Sequence, residues 1–450
     1  MPQIRASTPA EAFDTLDPFA VVRPEDPWYA DIESYFDRRH YGLVAQLVRR
    51  LSPRPTGRDY EHIGIVGHKG SGKTTLVRKA MEELAPKGLH PFYVDAIAAF
   101  DQGDLSFSDV ILVIARAVID GLGEAGVDIP AREFEMLKMW FAEELLTESH
   151  RQQILASVET EAGAGGSIPW LVKLTAKITA ALKSDNEYRR EIRQRAERDP
   201  VDLVRRANQL LDAAAHALSS RHEERRRLVV VLDNLEKLAD RRQVDAAVLR
   251  RADGLRELRC HLLLFFAPED QYAPVTVQAD QAFDLITLPM LPVRGRDDGW
   301  ERVAAPVLDA VRELLARRMD LARVLTEPDA VLLALAKWSG GRLRDIFHLT
   351  RLACELSDPD PVTPELMDLA ARRLSGERVT AAKPDQWARL AEIARDKQVA
   401  NDPTDGFLLQ HSLVLNYDGE PWWDVHPFVR LDRRFETAWK ASRQISGGPS

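Results

Sequence analysis

The sequence predicts an α/β chain built on a parallel sheet, with a long helical insert, a helical lid and a small C-terminal unit containing a β-hairpin. Three observations carry this. Short apolar runs alternate with helical stretches between residues 62 and 288, the pattern of strands covered on both faces by helices. The first run feeds a glycine-rich segment that opens directly into a helix. About 100 residues of charged, helical pattern, 125–225, interrupt the alternation.

Size and composition bound the reading. A chain of 450 residues is too long for one core. The divisions read from it are an N-terminal arm and helix (1–60), a core (61–299, with the insert at 125–225), a lid (300–380) and a C-terminal unit (381–450). A hydrophobic fraction of 45% suffices for sizeable cores. No apolar run approaches the roughly 18–20 residues that span a bilayer. The start, MPQIRASTPAEAFDTLDPF, lacks the apolar stretch of a signal peptide. Cys260 and Cys354 are far apart with no CxxC spacing, so they read as small buried apolar residues, in keeping with a cytoplasmic location. A net charge of −9 argues against coating nucleic acid by bulk attraction, though a local basic patch would still serve.

Along the chain, an irregular arm carries Pro18, Pro24 and Pro27. A helix follows near Gly42 to Leu51, with Leu43, Leu47 and Leu51 on one face. HIGIV (62–66) is a buried strand and KTTLVRKAMEEL (73–84) a helix. HPFYVDA (90–96) is the second strand and SDVILVIARAVIDGL (108–122) the next helix. The insert is divided by EAGAGGS (161–167). Beyond it Leu171, Leu174, Ile178 and Leu182 share one helix face, with Lys173 and Lys177 on another. That pattern fits a helix packed on its neighbour; docking to a membrane surface or partner is the sharper alternative. LVVVLD (228–233), HLLLFF (261–266) and FDLITL (283–288) complete the strands. Residues 300–375 are helical, and LVLNY (413–417) and PWWDV (421–425) form a hairpin about an Asp418-Gly419 turn.

GHKGSGKT (67–74) fits G-x-x-x-x-G-K-[ST] in the strand–loop–helix context that gives the motif meaning. Gly67, Gly70 and Gly72 let backbone N–H groups turn toward phosphate oxygens, and the helix N-terminus adds its positive end. Lys73 reaches the β- and γ-phosphates and Thr74 offers a hydroxyl to Mg²⁺. The binding set is therefore Gly67, His68, Lys69, Gly70, Ser71, Gly72, Lys73, Thr74 and Thr75, with His68 and Lys69 read as solvent-facing. The ligands are ATP and Mg²⁺, and no GTPase-type NKxD base motif is present.

LVVVLDNLEKL (228–238) carries a carboxylate to the end of a strand, so Asp233 joins Thr74 as the metal-side pair. The next residue is Asn234, which orients water but accepts no proton. Glu236, three residues after Asp233, either reaches the γ-phosphate from the following loop or pairs with Lys237 or Arg241.

WSGGRLRDIFHL (338–349) resembles the second sensor region of AAA+ and origin-recognition-type ATPases, and by that resemblance Arg344 touches the γ-phosphate from the lid, with Arg342 the alternative. Many AAA+ proteins place Glu directly after the strand-end Asp, where this chain has Asn234. After the fourth strand FFAPEDQYAP has no polar sensor residue beyond Glu269 or Asp270, and Gln271 to Val293 holds no arginine, which leaves Arg294, Arg296, Arg317 and Arg318 as the nearby candidates for an arginine finger. LDAVRELLARRMD (308–320) resembles the box preceding the lid, with Arg317 and Arg318. Together these residues resemble bacterial P-loop ATPases near the STAND, KAP and origin-recognition branches over roughly 25–380. The hairpin after helices resembles a winged helix, in which Trp422 and Trp423 are either wing core or nucleic-acid contacts. The resemblance implies a P-loop NTPase fold with a winged-helix-like end. It implies a slowly hydrolysing regulatory switch, in signalling or defence, with an unidentified protein partner and a homo-oligomer as an option. Lys73, Asp233, Glu236 and Arg344 are then the catalytic set. A DNA-binding loader is the alternative, supported by Arg372, Arg373, Arg378, Lys383, Arg389 and Arg395 and diluted by Glu377, Asp385 and Glu392. A non-hydrolysing ATP-bound scaffold, suggested by Asn234, is the third.

Overall fold

The computed structural model describes residues 5–38, 41–53, 59–101, 103–162, 166–184, 186–238, 240–272, 279–417 and 421–446. Five parallel strands form the core sheet: β1 (His62–Val66), β2 (Leu89–Asp95), β3 (Arg227–Asp233), β4 (His261–Phe266) and β5 (Asp284–Thr287), in the order β2-β3-β4-β1-β5. The apolar runs predict these strands to within a residue or two. All strands run the same way, so their C-terminal ends share one sheet edge, where ligands bind in such sheets.

Alternation along β3 distributes its side chains. Leu228, Val230 and Leu232 enter the cluster shared with helix Phe107–Glu124 and the insert, whereas Val229 and Val231 join Ile63 and Ile65 on the opposite face, under helix Lys73–Leu84. Burying each such side chain contributes about 1.5–3 kcal/mol, which is why a run apolar at every position is a strand covered on both faces. Helix Phe107–Glu124 starts at a capping box. Ser106 Oγ accepts from Asp109 N at 3.4 Å, and Asp109 Oδ2 accepts from Ser106 N at 3.0 Å.

The described residues of the insert are mostly helical, joined by short turns, and Ser167–Ser184 and Pro200–His222 both pack on Phe107–Glu124. Leu171, Leu174, Ile178 and Leu182 lie buried in that seam, so their stripe is already covered and the membrane-docking alternative loses its basis. Arg189 and Arg193 tie the insert to Asp101, Asp104 and Asp109 beside the end of β2. Among the described residues no helix is long and apolar enough to cross a membrane.

The arm is less irregular than its prolines suggest. Pro9–Thr15 is a helix whose N-cap Thr8 accepts from Glu11 N, and it packs on the lid helix Leu343–Ser357. Ala6 pairs with the lid through Ala6 N to Arg318 O (3.0 Å) and Asp320 N to Ala6 O (2.8 Å). The stretch read as a lid holds the helices Ala305–Ala316, Leu321–Val324, Pro328–Ser339, Leu343–Ser357 and Pro364–Val379.

The C-terminal unit runs helix Gln386–Asp396, helix Pro403–Gln410, β6 (Val414–Tyr417), β7 (Trp422–Val425) and helix Arg433–Ser446, with its own core around Trp387, Leu390, Leu408 and Phe435. The antiparallel β6–β7 pair is the predicted hairpin; its Asp418-Gly419 turn lies outside the described residues. Trp422 and Trp423 are 4% and 8% exposed, which makes them core residues and removes them as nucleic-acid contacts.

Candidate active site

β1 delivers the chain to Gly67, and helix Lys73–Leu84 receives it six residues later. The turn between them needs left-handed backbone at Gly70 (φ +83°) and Gly72 (φ +93°). At Gly70 a side chain is excluded a second time: a Cβ there would stand 2.5 Å from Arg344 Cβ.

Lys73 is almost fully buried. Its Nζ donates to Gly67 O (2.6 Å) and His68 O (3.1 Å) and lies 3.2 Å from Glu236 Oε1. Thr74 Oγ1 donates to Asp233 Oδ2 at 2.7 Å, which brings the predicted metal-side pair together across 159 residues. Burial pushes the Asp233 carboxyl up, and the Thr74 hydrogen bond partly offsets this. Two hard oxygen donors at the mouth of a phosphate loop fit Mg²⁺, which takes one or two protein ligands and fills the rest with phosphate and water. The described residues contain no cluster of three or more His, Cys, Asp or Glu able to hold a metal by themselves.

Three expectations are corrected here. Glu236 pairs with neither Lys237 nor Arg241. Its partner is Lys73, and Arg241 is taken by Asp270. Burial raises the Glu236 carboxyl, but Lys73 beside it more than compensates and its pKa ends below the ordinary value. His68 does not face solvent: it is 1% exposed, and burial, with Arg342 and Lys73 nearby, holds its imidazole far below the usual range and therefore neutral. Arg294 and Arg318 are not free to serve a neighbouring subunit. Arg294 is buried against Asp424, and Arg318 donates to Leu314 O and Trp28 O. Of the remaining finger candidates Arg317 is held by Glu313, and Arg296 is exposed.

Both lid arginines reach the loop, by different atoms. Arg342 donates from Nε and Nη2 to Lys69 O at 3.0 and 2.6 Å. Arg344 donates its backbone N–H to Gly70 O at 3.1 Å and sends its side chain into the cleft, where the guanidinium lies 5.0 Å from the Phe19 ring. Arg342 thus clamps the loop carbonyl, and Arg344 is the lid arginine that lines the cleft. Behind Arg342 stands Asp345, 1% exposed, which accepts from Arg342 (2.9 Å), Arg378 (2.7 and 2.8 Å) and His426 Nε2 (2.9 Å). His426 Nδ1 accepts from Phe428 N, so Nε2 carries the proton it shares with Asp345. Its pKa falls to about 3, chiefly through burial. One carboxylate therefore joins the phosphate loop, the lid and the end of β7.

Sequence reading missed two participants. Asp95, at the end of β2, accepts from Asn234 Nδ2 at 2.8 Å; only sheet pairing puts it there, Asp95 being the register partner of Asp233. The arm segment Asp17–Val22, with Trp28, Tyr29 and Ile32, lines the cleft beside Gly72, Lys73 and Thr74, and Val22 O accepts from Thr75 Oγ1 at 3.0 Å. The cavity these residues enclose is about 150 Å³.

Residues 42–265, just under half of the chain, match the family described as AAA ATPase domain, a span that holds the phosphate loop, the insert, Asp233 and β4. No curated protein is significantly similar in sequence. Among solved structures, the chain is similar to the Aeropyrum pernix ORC2 protein in its ADPNP-ADP complexes (TM-score 0.42, 13% identity, covering 96% of this chain and 98% of that one). It is also similar to the Aeropyrum pernix ORC1 protein in complex with DNA (0.40, 15%, 96% and 97%) and to a Walker-type ATPase of Pyrococcus abyssi (0.43, 11%, 95% and 99%). The chain has an α/β P-loop fold, and its residues 42–265 are similar to the AAA ATPase domain.

Proposed function

We propose that the protein is an ATP-driven switch: it binds ATP at Gly67–Thr75, hydrolyses it slowly, and passes the state of the phosphate loop to its C-terminal unit. The observation that carries this is the Asp345 junction. Arg342 holds the Lys69 carbonyl of the loop, and the same Asp345 that anchors Arg342 also binds His426 at the end of β7. A shift of the loop around a triphosphate is therefore felt at the hairpin, where a protein partner would read it.

In this reading Lys73 contacts the β- and γ-phosphates, and the N-terminus of helix Lys73–Leu84 supports the same charge. Thr74 and Asp233 would hold Mg²⁺, which neutralises charge across the phosphates when bound. Arg344 adds a cation from the lid. Ligand pockets measure roughly 300–1,000 Å³, so a cavity of about 150 Å³ requires Asp17–Val22 to move aside before a nucleotide is seated. The exposed Phe19 and Val21 of that segment suit a movable cover.

The DNA-loader alternative draws on the basic C-terminal residues, and their pairing weakens it. Arg378 is bound to Asp345, Arg389 to Asp405 and Glu392, and Arg395 to Asp396. That leaves Arg372, Arg373 and Lys383 as its exposed support.

Asp233→Ala tests the ATPase reading. It removes a metal-side ligand but leaves Lys73 and the loop intact. Mg²⁺-dependent phosphate release is expected to fall about 100-fold or more while ATP still binds. Release at the parental rate would remove Asp233 from the site.

A further inference from the structure

We propose that Glu236 is the carboxylate that accepts the proton of the attacking water, and that Lys73 holds it in reserve until a triphosphate draws the lysine away. The proposal rests on the ATP-hydrolysing reading and gives that reaction its base.

The residue directly after Asp233 is not equipped for the role. Asn234 lies in left-handed backbone (φ 66°), its Nδ2 is engaged with Asp95 at 2.8 Å, and an amide accepts no proton at neutral pH. Asp233 itself is committed to Thr74 and to the Asn234 N–H. Glu236 sits on the short 3₁₀ turn Leu235–Lys237, 3% exposed, and lines the same cleft as Lys73, Thr74 and Arg344. Its Oε1 faces Lys73, whereas Oε2 is buried with no hydrogen-bond partner. A buried charged oxygen without a partner is costly to leave unsatisfied, so its persistence at the cleft points to a ligand-side hydrogen bond.

Electrostatics give the sequence of events. With Lys73 beside it, Glu236 is ionised and a weak base. When Lys73 turns to phosphate oxygens that offset disappears, while burial stays, so the proton affinity of Glu236 rises as substrate is bound. The water oxygen then forms its bond to Pγ as the bond from Pγ to the β–γ bridging oxygen breaks. The bridging electron pair leaves with ADP, and the water's proton passes to Oε2. Glu269 is the competing carboxylate, since it is also buried with an unpartnered Oε2, but it does not line the cleft.

The test compares single-turnover phosphate release from ATP with affinity for a non-hydrolysable ATP analogue, using the full chain. Glu236→Gln is expected to slow release about 100-fold or more, as for loss of a general base. It should bind the analogue at least as tightly as the parent, because the amide no longer holds Lys73. A residue with a merely structural role would lose both together. Glu236→Asp should recover part of the rate. Glu269→Gln should stay within about threefold of the parent, as a group outside the proton transfer does. The proposal is overturned if Glu236→Gln turns over at the parental rate, if it loses affinity along with rate, or if Glu269→Gln falls as far as Glu236→Gln. A parent that binds ATP and releases no phosphate would instead overturn the hydrolysis reading, and this proposal with it.

Discussion

Lys73→Ala is expected to weaken ATP binding about 100-fold or more, the equivalent of roughly 3 kcal/mol of charge-assisted hydrogen bonding. The loss has two sources. The substitution removes the cation facing the triphosphate. It also strands Glu236, whose buried carboxylate has Lys73 as its counter-ion. An uncompensated buried charge destabilises by about 3–5 kcal/mol, so Lys73→Ala should also lower the urea midpoint. The double variant Lys73→Ala with Glu236→Gln separates the two effects: it should recover the stability and not the affinity. Calorimetry with ATP checks the first effect and urea unfolding the second. Parental affinity in Lys73→Ala would remove the phosphate loop as the nucleotide site.

Asp345→Ala is the substitution with the largest expected effect on folding. Asp345 is fully enclosed and anchors Arg342, Arg378 and His426. Without it two guanidinium groups face each other across a buried space, a loss of about 3–5 kcal/mol by the same reasoning. The local consequence is sharper than the global one. Arg342 loses the partner that aims it at the Lys69 carbonyl, so the lid and hairpin are released from the phosphate loop. Urea unfolding should show a lower midpoint, and proteolysis should open the segment after Val379 first. A midpoint equal to the parent's would mean that the junction does not bind lid to hairpin. Acid should weaken the same junction. His426 is neutral when folded, with its pKa at about 3, and ordinary, near 6.5, when unfolded. The unfolded chain therefore binds a proton that the folded chain refuses. This contribution to stability is complete above about pH 6.5 and is lost as the pH falls toward 3.

What the sequence makes legible follows from how local each signal is. The phosphate loop and Lys73 are legible because motif, strand and helix lie within about 25 residues and the geometry is set by neighbours in the chain. Asp233 is legible because an apolar run ending in a carboxylate must leave it at the sheet edge. Strand order is not, since nothing in HLLLFF says that β4 lies between β3 and β1. The pairing of Glu236 is hidden for a different reason. Lys237 and Arg241 are nearer in sequence, but Lys73, 163 positions away, shares its buried pocket, and burial selects the partner. The Asp345 junction draws on residues up to 81 positions away, so each of its members reads in isolation as an ordinary surface charge. The arm helix Pro9–Thr15 was readable: Thr8, Pro9 and Glu11 form an N-terminal signature that the surrounding prolines obscure.

On the proposed reading, one chain holds a complete, slow ATPase site, with Arg344 supplied by its own lid. Phosphate release from ATP and Mg²⁺, measured with the purified chain over a thousandfold range of protein concentration, tests it most directly. An arginine finger from a neighbour contributes about 10³-fold or more to turnover, so dependence on one would dominate such a series. Slow release is expected, with a specific activity that stays flat across the range. A steep rise with concentration, lost on substituting Arg296 or Arg317, would contradict it by showing that a second subunit completes the site.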